Sequence, residues 1–190
     1  MIERELKQLI SSQDYIALLS FLSSFPSESI EQLNHYYDTE NGYYNSIHTT
    51  VRIREKNGRL KGTVKSHVIC NNSIERDFKV SSLPERFVID ERNVFYKGKL
   101  HTERKIYRLG NGLILFLDKN SYLDTVDYEI EIEYPEDLEE IAKTMMLAMR
   151  KIIDTYCSNE SLSKSERFYK RKEQIENERT RAVHKRSRES

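Results

Sequence analysis

Cysteine is scarce in this chain. Two of its 190 residues are Cys, Cys70 and Cys157, far apart and outside any CxxC spacing, which argues against both a disulfide framework and a zinc site. Long apolar runs are missing too. Nothing approaches a membrane span, and no basic start leads into a hydrophobic signal core, so the expected location is a reduced cytoplasm. Excess charge of either sign is absent, with 31 basic residues against 31 acidic ones, so composition supports no membrane partner and no DNA partner. There is no internal repeat, no P-loop and no HExxH. His35, His48, His67, His101 and His184 show no ligand spacing and read as structural or exposed.

What is present is aromatic and strand-like. Twelve Tyr and seven Phe argue against disorder, and the length suits one domain with a real core. The opening "IERELKQLI" alternates Glu3, Glu5 and Lys7 with Ile2 and Leu6, the period of a strand. A helix is expected over about Gln13–Ser24, with Tyr15, Leu18, Leu19 and Leu22 at helical spacing. Strands follow at "EQLNHYYDT", "TTVRIRE", "LKGTVKSHV" and "SIERDFKV", with Asn41-Gly42 and Asn57-Gly58 as hairpin signals and Asn71-Asn72 as a further turn. "SSLPERFVIDERNVF" reads as a short helix or an irregular connection before another strand. "KLHTERKIYRL", "LILFLDKN" and "TVDYEIEIEY" complete the strands. After Pro135 a helix is expected through Cys157, facing inward with Leu138, Ile141, Met145, Leu147 or Ala148, and Ile152. Consecutive hairpins point to an antiparallel sheet. About eight strands favour closure into a β-barrel, which removes exposed edges, giving an α+β fold with the helices packed outside.

The strand faces are sorted by charge. Arg52 and Arg54 oppose Val51 and Ile53; Lys65 and His67 oppose Val64 and Val68; Glu75 and Asp77 oppose Ile74 and Phe78; Glu129, Glu131 and Glu133 oppose Ile130 and Ile132. A one-sided sheet with its charges in water explains any single strand. It explains the set less well, because a solvent-facing surface mixes signs, whereas here acidic and basic residues fall on different strands. A barrel with a charged interior accounts for the sorting. Such an interior needs a guest: clustered carboxylates suit Mg²⁺ or Mn²⁺, and Arg and Lys suit a phosphate chain.

In these residues the chain resembles the CYTH superfamily, the triphosphate tunnel metalloenzymes. The family's N-terminal ExExK is similar to Glu3-Arg4-Glu5-Leu6-Lys7, its tyrosine-rich strand to Asn34–Thr39, its R-x-R strand to Arg52 and Arg54, and its next strand lysine to Lys65. Glu75, Arg104 in "TERK", "YEIEIE" and Ser163-Lys164 in "LSKSERF" resemble the family's later elements. The resemblance covers about residues 2–168 and is nearest to small bacterial members made of this domain alone. It implies a tunnel domain over residues 1–170, followed by a basic helical extension over 171–190.

The resemblance further implies metal-dependent hydrolysis of a small-molecule triphosphate, inorganic triphosphate being preferred. Glu3, Glu5 and Lys7 are then the catalytic candidates, and Glu3, Glu5, Glu129, Glu131 and Glu133 the metal ligands. Arg52, Arg54, Lys65, Arg104 and Lys164 would bind the phosphates. Glu75 is left open between holding metal or water and pairing with an arginine. Adenylyl cyclase, thiamine triphosphatase and a non-catalytic polyphosphate or nucleotide sensor are the alternatives. From Ser161 to Ser190 ten Lys or Arg stand against five Glu. A solvated helix with i,i+4 pairs accounts for this tail better than RNA contact does.

Overall fold

The computed structural model describes residues 2–67, 72–153 and 162–189; Val68, Cys70, Asn71 and Cys157 lie outside them. Nine strands form one antiparallel sheet: β1 (Ile2–Ile10), β2 (Glu28–Asp38), β3 (Thr49–Lys56), β4 (Arg59–His67), β5 (Asn72–Phe78), β6 (Arg86–Ile89), β7 (Arg92–Gly110), β8 (Leu113–Tyr122) and β9 (Thr125–Glu133). Their order is β2-β3-β4-β5-β1-β9-β8-β7-β6, and β2 also pairs with β7, so eight strands close into a barrel. The closing seam is long, running from Glu28 opposite Ile106 to Asp38 opposite Phe95. Both edges of β2 are thereby used, which leaves the barrel without a free edge.

The alternation along each strand is turned inside out relative to an ordinary globular sheet: charge points inward and apolar residues outward. Most outward residues are buried by added layers, while Ile2, Ile74 and Val126 stay exposed. Helices α1 (Ser12–Phe21) and α3 (Glu139–Arg150) cover one side, where Leu18, Leu22, Ala142, Met146 and Met149 pack on Leu115, Leu117, Ile130 and Ile132. Burying each such side chain contributes roughly 1.5–3 kcal/mol. On the other side the short helix α2 (Tyr43–Ser46) and the β6–β7 hairpin bury Val51, Ile53 and Val64 with Tyr37, Tyr44, Ile89 and Val94.

Several local expectations change. Helix α1 starts on a capping box, in which the Asp14 backbone N–H donates to Ser11 Oγ at 3.1 Å and the Ser11 N–H donates back to the Asp14 carboxylate at 3.3 Å. It ends at Phe21, earlier than the expected Ser24. Asn41-Gly42 is no hairpin turn. The Asp38 carboxylate accepts the N–H groups of Thr39, Tyr44 and Asn45 at 2.7–2.9 Å, and this gathers the chain into α2, with Gly42 as the residue before it. Asn57-Gly58 does form the two-residue turn, with Lys56 paired to Arg59. The stretch after Pro84 holds a strand, β6, turned back on β7 through Asp90 and Glu91, both at positive φ. In α3 the buried stripe is Ala142, Met146 and Met149, while Ile141 and Leu147 are exposed. The apolar arc of this helix, from Ala148 and Ile141 round to Met146, is wider than the stripe it buries, so periodicity did not single out the face that small Ala142 lets approach the barrel.

A last helix, α4 (Lys164–Glu189), runs without a break across residue 170. Its first turns enter one end of the barrel, where Phe168 packs on Tyr36, Leu100 and Tyr122. Gly98 makes room for it: the φ of Gly98 is +141°, and a Cβ there would come within 2.6 Å of Phe168 Cζ. Among the described residues no helix is long and apolar enough to cross a membrane.

Candidate active site

Strand β1 turns Glu3, Glu5 and Lys7 to the barrel interior, and register decides what they meet. Glu5 lies opposite Glu133, and Lys7 opposite Glu131. Carboxylate oxygens of Glu3, Glu5 and Glu133 all lie within 4.8 Å of one another. Burial pushes the Glu133 carboxyl up to about 8, and the charges of Glu3 and Glu131 add to this. Burial acts on Glu3 in the same direction, but the bonded Lys65 ammonium and Arg52 outweigh it and hold Glu3 at about 2. Three carboxylates converge with too little positive charge among them. Their donor set is all oxygen, which fits a hard divalent cation.

The facing wall is basic. Strands β3 and β4 bring Arg52, Arg54 and Lys65 into the same cavity, β7 adds Arg104 and the start of α4 adds Lys164. Lys65 Nζ donates to Glu3 at 2.5 Å and lies 3.6 Å from Glu5 and 3.8 Å from Glu75. Arg52 donates to Glu75 at 3.1 Å, yet its Nε is buried without a hydrogen-bond partner among the described residues. Arg54 donates to the neutral Asn34 side chain at 3.0 Å. Burial, with Arg52 and Arg104 nearby, pushes Arg54 down to about 9. A desolvated cation held by an amide and crowded by like charges is a place where an anion is strongly favoured. Glu75 meets Arg52 and Lys65 here, the pairing arm of the two roles left open for it.

Beneath this wall lies a second acidic group, Asp118, Glu129 and Glu131, fully or almost fully buried. Arg104 grips Asp118 with two hydrogen bonds of 2.6 and 2.7 Å, bonds Glu131 as well, and stacks on the Phe116 ring, 3.9 Å from its centroid. Lys164 bonds Glu129, Glu131 and Asp118. Arg167 donates to Glu129 and Asp127. Glu129 is thus a buried partner of α4, whereas Glu131 and Glu133 reach the cavity wall.

Tyr36 and Ser163, both within the resembling segments, also line the wall, and four further wall residues carried no site role in the sequence reading: Gln32, Thr50, His67 and Ser165. His67 was read as structural or exposed, but the alternation that carries Lys65 inward carries it too. Burial, with Lys7 and Lys65 close by, lowers its pKa. Thr50 Oγ1 lies 2.6 Å from Ser165 Oγ, tying β3 to the first turn of α4. Asp118 had a signal in its register, opposite both Arg104 and Glu129.

A family model described as CYTH domain matches residues 1–169. The chain is 33% identical to the "Putative triphosphatase YjbK" of Bacillus subtilis (strain 168) over 147 residues, 70% of this chain and 77% of that protein. Among solved structures it is similar to a "putative adenylate cyclase" of Bacillus halodurans, with 25% identity, a TM-score of 0.68 and coverage of 88% of this chain and 97% of that one. A Hippeastrum "putative adenylyl cyclase", described with a dominant triphosphatase activity, shares the fold at 23% identity and a TM-score of 0.70, covering 89% of this chain and 95% of that one. So does the Mimivirus capping enzyme triphosphatase, at 10% identity and a TM-score of 0.60 over 81% of this chain and 90% of that one. The matched span holds every cavity residue from Glu3 to Ser165, and the chain belongs to the CYTH domain family.

Proposed function

We propose that this chain is a divalent-metal-dependent hydrolase of inorganic triphosphate. The observation that carries the reading is the pair of opposed walls in one cavity: the carboxylates of Glu3, Glu5 and Glu133 against Arg52, Arg54, Lys65, Arg104 and Lys164. A pure anion binder gains nothing from the carboxylates unless a cation bridges them to the anion. The triphosphatase descriptions of the Bacillus subtilis and Hippeastrum proteins support the same reading.

Mg²⁺ or Mn²⁺ held by Glu3, Glu5 and Glu133 would neutralise phosphate charge and make an attacking water more acidic. The protein does the rest. Arg52 and Arg54 offer forked donors to equatorial phosphate oxygens, and Lys65, Arg104 and Lys164 add fixed positive charge as negative charge spreads in the transition state. Lys7, 3.1 Å from Glu5, orients the chain of phosphates or assists the leaving group. One end of the barrel is filled by Phe168 against Tyr36, Leu100 and Tyr122, which favours a substrate without a nucleoside.

The test is phosphate release from inorganic triphosphate, thiamine triphosphate and ATP, each with Mg²⁺, with Mn²⁺ and with chelator. Metal-dependent release from inorganic triphosphate well above the other two supports the proposal. Tight triphosphate binding with no release under any metal would replace it with a sensor, and conversion of ATP to a cyclic nucleotide would replace it with a cyclase.

A further inference from the structure

The two acidic groups inside the barrel differ in one respect: what already touches their oxygens. In the Asp118, Glu129 and Glu131 group all six carboxylate oxygens carry a donor. Asp118 Oδ1 takes Arg104 Nε at 2.7 Å, and Oδ2 takes Arg104 at 2.6 Å and Lys164 Nζ at 3.0 Å. Glu131 Oε1 takes Lys164 Nζ at 2.5 Å, and Oε2 takes Arg104. Glu129 Oε1 takes Lys164, and Oε2 takes Arg167 at 2.5 Å. Three carboxylates face three cations. The lysine is central: its ammonium donates to Glu129 and Glu131 and lies 3.0 Å from Asp118, so it touches all three carboxylates.

This is the coordination pattern of a bound cation, supplied by a side chain. Three carboxylates with oxygens within 4.8 Å of one another, buried, cannot all stay charged unless a cation lies among them. At Glu3, Glu5 and Glu133 the balance is different: Lys65 and Lys7 bond Glu3 and Glu5, and among the described residues no Lys or Arg lies within ion-pair distance of Glu133.

We propose that Lys164 is a built-in cation, its ammonium filling the Asp118–Glu129–Glu131 cluster, so that the chain takes up a single divalent ion, at Glu3, Glu5 and Glu133. The single-ion count rests on the metal site proposed above; the filling of the second cluster does not. Because Lys164 is the first residue of α4, the second positive charge of the site arrives only when that helix docks.

The test counts Mn²⁺ bound per full-length chain without substrate, by electron paramagnetic resonance of free Mn²⁺ and by calorimetry. The intact chain is expected to bind one ion, and Lys164→Ala to bind one more. If the intact chain binds none and Lys164→Ala binds one, the filled second cluster stands and the metal site of the proposed function fails. An unchanged count in folded Lys164→Ala would overturn the proposal. Should that variant not fold, Asp118→Asn serves in its place: it is expected to leave the count of the intact chain unchanged, and a lost ion overturns the proposal.

Discussion

Phe168 of α4 lies directly over the backbone of Gly98 in β7, close enough that a Cβ on that glycine would stand 2.6 Å from the ring. The register of β2 against β7 shifts at this point, between Tyr36 and Tyr37. Gly98→Ala therefore meets two obstacles, a positive φ and a fully buried aromatic ring. We expect a loss of about 1–3 kcal/mol in urea unfolding, the range of an overpacked core. Unchanged stability would mean that α4 does not seat there.

Glu3→Gln and Glu5→Gln should each lower metal-dependent phosphate release by at least ~100-fold, the scale of removing one electrostatic contact to a transition state. Both should keep the thermal stability of the parent chain within a few degrees. Turnover at the parent rate in either variant would remove the carboxylates from the metal site.

Arg54 and Arg104 should behave as opposites. Arg54 is a half-buried cation bonded to an amide, so Arg54→Met relieves a desolvated charge and should leave stability equal or higher. The same change should weaken triphosphate binding about 10- to 100-fold, the worth of one hydrogen bond to a charged group. Arg104→Met leaves Lys164 and Arg167 as two cations against the three buried carboxylates of Asp118, Glu129 and Glu131, and should cost about 3–5 kcal/mol of stability. Calorimetric binding and urea curves on both variants test the contrast; equal stability losses would refute it.

Acid stability should depend on Glu166. Burial favours its neutral form, but hydrogen bonds from His48 and Ser163 outweigh burial and hold the carboxyl at about 2, below its ordinary 4.5. The folded state then binds fewer protons than the unfolded state between those values. The contribution is whole above about pH 4.5 and fades as pH falls towards 2. Glu166→Gln should flatten that part of the acid-unfolding curve. A variant curve parallel to the parent's would exclude the effect.

Much of this was legible from alternation alone. Glu3, Glu5, Arg52, Arg54 and Lys65 point inward because side chains alternate, and the sorting of charge by strand distinguished an interior from a wet surface. What escaped depends on contacts between distant elements. Asp38 captures backbone N–H groups six and seven residues on, so Asn41-Gly42, read alone, suggested a two-residue hairpin turn that does not form. The face of α3 was blurred because its apolar arc is wider than the stripe it buries, with Ile141 and Leu147 left exposed. Asp118 and Arg167 carry no motif; they matter because register and α4 bring them to Arg104 and Glu129. The strand after Pro84 was missed since β6 gains its stability from β7 and the apolar cluster beneath it, not from its own four residues.

The pairing of β1 has a consequence for how the chain reaches this state. Its Glu3 end sits against Ser73 of β5, while the rest of the strand pairs with residues 128–133 of β9. Glu3 and Glu5 therefore meet Glu133 only across most of the sequence, and no hairpin or short contiguous fragment contains all three. Such non-local pairing slows folding, because the loop-closure entropy is lost before the contacts that offset it form. The convergence of these carboxylates is therefore all or none with barrel closure, and a partly folded chain has no weakened version of the cluster to offer.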